Sequence, residues 1–150
     1  MVLFVVVKLK QIFEQQRDYP WPRPERCPRC QECRLWGHGF VLAYFDESAE
    51  ALYLKRFRCP GCRCVIRLRP KGYFLRFQAS IQRIYACLRQ RLVEGRYEAG
   101  ISRSRQRHWM RALQRQVAAY LGEGFRDRML EGFSALLERG GVPVASNLAF

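Results

Sequence analysis

Two CxxC pairs constrain this chain more than anything else in it. They are Cys27-Pro28-Arg29-Cys30 and Cys59-Pro60-Gly61-Cys62, with 28 residues between them. The CxxC spacing lets both thiolates of a tight turn face one point, and two such turns make a tetrahedral four-sulfur cage. Zinc suits that cage because it takes soft thiolates and tetrahedral coordination. Proline after the first cysteine of each pair stiffens the turn, and Gly61 is expected to supply an unusual backbone angle. A module of about 45 residues is near the limit of what a hydrophobic core alone can hold, so bound metal would supply folding free energy. The expected ligands are Cys27, Cys30, Cys59 and Cys62, and the expected cofactor is Zn2+.

Three further cysteines complicate that assignment. Cys33 makes a second CxxC with Cys30, and Cys64 lies two beyond Cys62. Either competes as a ligand, as does His38. Cys87 lies beside an apolar stripe and reads as a small core residue. An iron–sulfur cluster is the alternative use of so many thiols. A redox CxxC usually opens a helix in a βαβ setting, and that pattern does not surround these pairs. The apolar run from Val2 to Val7 is far shorter than the roughly 20 residues of a spanning helix. Lys8 and Lys10 follow it, whereas a signal peptide needs its charge first. The thiols are therefore expected in a reducing compartment, the cytoplasm, and no membrane partner is expected.

The pattern along the chain gives an α+β fold. Residues 1–26 read as an N-terminal arm and linker. Val5, Leu9, Ile12 and Phe13 suit one face of a helix, the valines suit a strand, and Pro20-Trp21-Pro22-Arg23-Pro24 forces an extended connector. Residues 27–72 read as a zinc ribbon of short antiparallel strands, with β-prone stretches at Phe40–Phe45, Ala51–Arg58 and Val65–Arg69. Residues 73–141 read as a three-helix unit like a helix-turn-helix. Ser80 is a good N-cap, followed by Ile81, Ile84, Tyr85, Leu88 and Leu92 up to Gly95. The second helix runs from Ser102 or Ser104 to about Leu121, with Trp109, Leu113, Val117 and Tyr120 apolar. The third runs from Phe125 to Glu138 and stops at Gly140-Gly141. Residues 142–150 read as a tail. No internal repeat is evident.

Charge points to the partner. The chain of 150 residues has 27 basic and 13 acidic side chains, a net +14. Residues 27–72 carry +5 and residues 73–120 carry +8, whereas residues 121–150 carry −1. Arginine-rich codon usage would spread the excess evenly, whereas a localised basic face is the footprint of a nucleic-acid binder. Arg103, Arg107, Arg111 and Arg115 recur every four residues, so they share a helix sector about 120° wide. Gln106 and Gln114 are placed to reach base edges. Lys55, Arg56 and Arg58 are expected to add contacts from the ribbon.

The order of a CPxC knuckle, a β-segment, the "RFRCPGC" knuckle, a helix and then "GISRSRQRHWMR" resembles a known arrangement. It is similar to the zinc-ribbon and helix-turn-helix region at the N-terminus of bacterial insertion-sequence transposases and related small DNA-binding proteins. The resemblance covers about residues 27–120. It implies that Cys27, Cys30, Cys59 and Cys62 are the ribbon's ligands. It also implies that Gly100-Ile101-Ser102-Arg103-Ser104 leads into a recognition helix carrying Trp109. The chain departs from the pattern in having only six residues, 96–101, between Gly95 and Ser102, and in lacking the acid-bearing catalytic domain. A DNA-binding protein without enzymatic activity is therefore expected. The alternatives are an RNA-binding ribbon protein, or an adaptor that docks a partner protein through the ribbon and the helix at 125–138, whose apolar stripe could instead form a dimer seam.

Overall fold

A computed structural model describes residues 1–148. The chain divides into two compact units, residues 1–79 and 80–150. The fold is α+β. Among the described residues there are four strands, in one sheet, and four α-helices. No helix is long and apolar enough to cross a membrane.

Unit 1 holds the sheet. Its strands are β1 (Val2–Val5), β2 (Trp36–Ala43), β3 (Leu52–Arg58) and β4 (Val65–Pro70), in the order β1-β4-β3-β2. β2–β3 and β3–β4 are antiparallel, but β1 pairs in parallel with β4, Leu3 opposite Leu68. The sheet is therefore mixed, and the expectation of antiparallel strands alone is corrected. The first residues are both strand and helix in succession, because β1 is followed by α1 (Leu9–Gln15). Residues 1–26 thus belong to this unit rather than forming a separate arm. The Met1 ammonium donates to the Val65 carbonyl at 2.9 Å, which anchors the residue just before β1.

Register partners in a sheet share a face. On one face, Leu52 and Leu54 pack with Ile12, Phe45 and Tyr73. On the other, Phe57, Ile66 and Leu68 pack with Leu35, Cys27 and Cys59. The proline segment has no regular structure, yet Trp21 touches both clusters. Arg69 is buried, and its Nη2 donates to the Phe77 carbonyl at 2.7 Å and the Phe74 carbonyl at 3.3 Å. One guanidinium so fixes the turn that leaves β4.

Unit 2 is helical: α2 (Ile81–Arg89), α3 (Arg103–Tyr120) and α4 (Met129–Glu138). Ser80 caps α2 through a bond from the Arg83 amide at 3.1 Å, as expected. The helix continues through one π-type turn, Gln90–Glu94, and ends at Gly95, whose φ of 70° a side chain would strain. Ser102 caps α3 in the same way, at 3.2 Å from the Arg105 amide. The segment between Gly95 and Ser102 has no helical turn, so α2 and α3 form a hairpin without the short middle helix of a standard helix-turn-helix. Ile84, Leu88, Trp109, Leu113, Phe133 and Leu136 are buried. Val144 is fully buried, and Gln116 Nε2 donates to the Ala145 and Asn147 carbonyls at 3.0 and 2.6 Å. What reads as a tail in the sequence is a closing segment of this unit.

Candidate metal centre and basic faces

The four cysteines of the two CxxC pairs converge. Their Sγ atoms all lie within 4.8 Å of one another, with Cys30–Cys59 at 3.4 Å and Cys27–Cys62 at 3.6 Å. A tetrahedral ion with bonds of 2.3 Å needs sulfurs ~3.8 Å apart, so the cluster fits zinc closely. Cys27 and Cys59 are fully buried, and Cys30 and Cys62 are more open.

The two knuckles are built alike. The Gln31 amide donates to the Cys27 carbonyl, and the Arg63 amide donates to the Cys59 carbonyl, both at 2.9 Å. One residue later the strand of contacts reverses, as the Cys27 amide donates to Glu32 and the Cys59 amide to Cys64. Gln31 and Arg63 occupy matching positions with φ of 64° and 62°. The left-handed residue of each turn is therefore the one after the second cysteine, not Gly61. A Cβ on Gly61 would lie 3.5 Å from Cys30 Sγ, ordinary contact, so the glycine is not what shapes the turn. The knuckles are a short internal repeat, CPRCQE against CPGCRC, that the sequence carried but periodicity did not reveal.

Backbone amides tune the sulfurs. Burial pushes the Cys27 thiol up, but amides of Cys30 and Arg29 and the thiols of Cys64 and Cys62 outweigh it and hold it at about 6. A thiolate is the form that a metal takes. Cys59 is pushed up, chiefly by burial. Cys64 lies 3.5 Å from Cys27 Sγ, outside the four-residue cluster. Burial first, then its contacts with Cys62 and Cys27, push it up to about 12. Cys33 is exposed and turned toward the Gln31 carbonyl at 3.8 Å, and His38 sits in the β2 bulge between Gly37 and Phe40. Neither is in the cluster. Cys87 is buried in unit 2, as a core residue would be.

The expected basic residues divide. Arg103, Arg107, Arg111 and Arg115 are all exposed on α3, opposite a face that buries Trp109, Ala112, Leu113 and Val117. No carboxylate occurs anywhere in that helix. Gln114 is exposed and, with His108, Arg111, Arg115 and Ala118, lines a shallow groove. Gln106 does not face outward. It is buried, its Oε1 accepts from the Glu98 amide at 3.0 Å, and its Nε2 donates to the Glu98 and Ile101 carbonyls at 2.9 and 2.8 Å. It clamps the loop before α3, so the expectation that it reads base edges is corrected. Periodicity could not separate it from Gln114, because glutamine suits either face. Tyr97 lies on that loop with the Arg91 guanidinium 4.6 Å and the Arg103 guanidinium 5.6 Å from its ring centre. Arg83 holds the loop to α2 through the Ala99 carbonyl at 3.1 Å.

In unit 1, Arg56 and Arg58 share a sheet face, but Lys55 points to the other one. Its ammonium lies 4.6 Å from the Phe40 ring centre. The three residues therefore do not form one basic patch. The apolar side chains of α4 are partly spent within unit 2. Phe133 and Leu136 are buried, Phe133 meets Tyr85 edge-on at 5.4 Å, and Leu137 remains exposed. Comparison with protein-family models, with curated proteins and with solved structures gives no match.

Proposed function

We propose that this chain is a zinc-stabilised DNA-binding protein that contacts duplex through α3 and performs no chemistry of its own. One observation carries the reading: an 18-residue helix, free of carboxylates, buries one face and exposes Arg103, Arg107, Arg111 and Arg115 on another. A solvated surface stripe ordinarily mixes signs, because like charges four apart destabilise a helix. A stripe of one sign is relieved by a polyanion. A major groove about 12 Å wide admits an α-helix, arginine pairs with guanine or phosphate, and Gln114 is placed for an adenine edge. Zinc, held by Cys27, Cys30, Cys59 and Cys62, would supply the folding free energy of the knuckles. The transposase-like resemblance supports the same reading, with the cytoplasm as its reducing setting.

The test is a binding titration of the full, zinc-loaded chain against mixed-sequence duplex at two salt concentrations. Arg107→Ala with Arg111→Ala should weaken binding about tenfold or more and reduce the salt slope by about 2. An affinity indifferent to salt, or to the double substitution, would overturn the reading.

A further inference from the structure

We propose that the open end of the unit 1 sheet is a platform for single-stranded nucleic acid, on which Trp36 and Phe4 stack bases and Arg58 and Arg67 take phosphates. The inference shares with the preceding reading only the premise that the partner is a nucleic acid.

Register assigns the face. Trp36 is opposite Arg58, which is opposite Val65. Arg56 is opposite Arg67, which is opposite Val2, and Phe4 is opposite Arg69. These side chains share the face whose far end carries Leu52 and Leu54, covered by Ile12 of α1. Among the described residues, the near end has no such cover. Trp36 is 61% exposed and Arg58 and Arg67 are exposed, while Phe4, 40% exposed, stands on the outer edge strand two residues beyond the Arg67 row, at the border of the covered end. The two rings stand on opposite edge strands, three strand spacings apart across the sheet and four residues apart along it, so their backbones are ~19 Å apart.

The charge on this face is uncompensated in the sheet itself. Like charges directly opposite one another destabilise a strand pair, and Arg56 faces Arg67. None of the four strands contains Asp or Glu. Arg56 Nε is buried without a hydrogen-bond partner among the described residues. Arg69, by contrast, is spent on the carbonyls of Phe74 and Phe77. A chain of phosphates relieves the repulsion. Two exposed aromatic rings flanking the arginines select unpaired bases, because a base can stack on a side chain only when it is out of a duplex. Single-stranded DNA and RNA offer the same chemistry here.

Fluorescently labelled oligonucleotides of about 15 nucleotides, all-thymidine DNA and all-uridine RNA, are titrated with the full zinc-loaded chain. Trp36→Ala should weaken binding about tenfold, as should Arg58→Gln with Arg67→Gln, while Trp36→Phe should restore most of the affinity. Lys10→Gln, on the exposed side of α1, should leave affinity within about twofold. Zinc content and ellipticity confirm that each variant is folded. Trp109 is buried and Trp21 packs against both sheet clusters, so quenching of tryptophan fluorescence on binding should come mainly from the exposed Trp36 and fall away in Trp36→Phe. A preference for either polymer supports the platform and names its partner. Single-strand affinity untouched by Trp36→Ala, with no quenching, would overturn it. Duplex binding through α3 without single-strand binding would overturn this inference and leave the preceding reading standing. Single-strand binding weakened by the sheet variants, without duplex binding, would do the reverse.

Discussion

The two units solve the same problem by different physics. Unit 1 splits its apolar side chains between two faces of one sheet. One small cluster gathers around Phe57 and Ile66 and another around Leu52 and Leu54. Neither is large, and two of the buried residues in the first, Cys27 and Cys59, are metal-ligand candidates. Unit 2 instead packs three helices around side chains such as Leu113 and Phe133, and holds its loops with buried glutamines. The difference teaches where each unit is vulnerable. If zinc binds the four cysteines as proposed, its removal would take from unit 1 a bond that joins its two knuckles. Remove a methyl group from α3 and unit 2 pays a packing cost that zinc cannot offset.

The sharpest way to break the contrast is to remove the cage. Cys27→Ser with Cys59→Ser should abolish zinc binding and remove metal-linked stability on the order of 10 kcal/mol, so unit 1 should unfold. Most helical ellipticity should remain, because three of the four helices lie in unit 2. Zinc content by mass spectrometry and circular dichroism check both halves of that statement.

A smaller effect runs the other way. Leu113 is fully buried, and Leu113→Ala should destabilise unit 2 by about 2–5 kcal/mol through lost contacts and a residual cavity. Zinc stoichiometry should not change. Denaturant unfolding followed by far-ultraviolet ellipticity measures the shift.

The smallest effect tests how closely α3 and α4 approach. A Cβ on Gly132 would lie 2.8 Å from Val117 Cγ2, so the Val117 side chain or one of the helices must shift. Gly132→Ala should cost about 1–3 kcal/mol despite alanine's better helix propensity. A stabilised variant, read by the same unfolding curve, would show that the helices have room to part.

How much of this was legible depended on whether the signal was local. The CxxC pairs, the caps Ser80 and Ser102 and the arginine face of α3 all follow from spacing within a few residues. The parallel pairing of β1 with β4 does not, because it joins residues more than sixty positions apart and depends on tertiary context. For a related reason, spacing does not reveal that Gln106 lies buried rather than outward, or that Lys55 stands on the sheet face opposite that of Arg56 and Arg58. A polar side chain at a helix or strand position carries no periodic mark of whether it is solvated, clamped on a loop or laid on a ring. The matching knuckles were visible only once the left-handed residues Gln31 and Arg63 were placed, since neither is glycine. Arg67 is legible as a strand residue, whereas Trp36 is not, because the strand reading begins at Phe40; that both neighbour Arg58 is a matter of register.

The central proposal is that a metal on the four cysteines holds unit 1 and packing holds unit 2. The most direct measurement is a two-dimensional amide spectrum of the full chain, recorded as zinc is withdrawn by a chelator. One zinc per chain should be released, and dispersed signals from residues 1–79 should collapse while those from residues 80–148 keep their positions. Loss of both sets together, or retention of the residue 1–79 signals after the metal is gone, would contradict it.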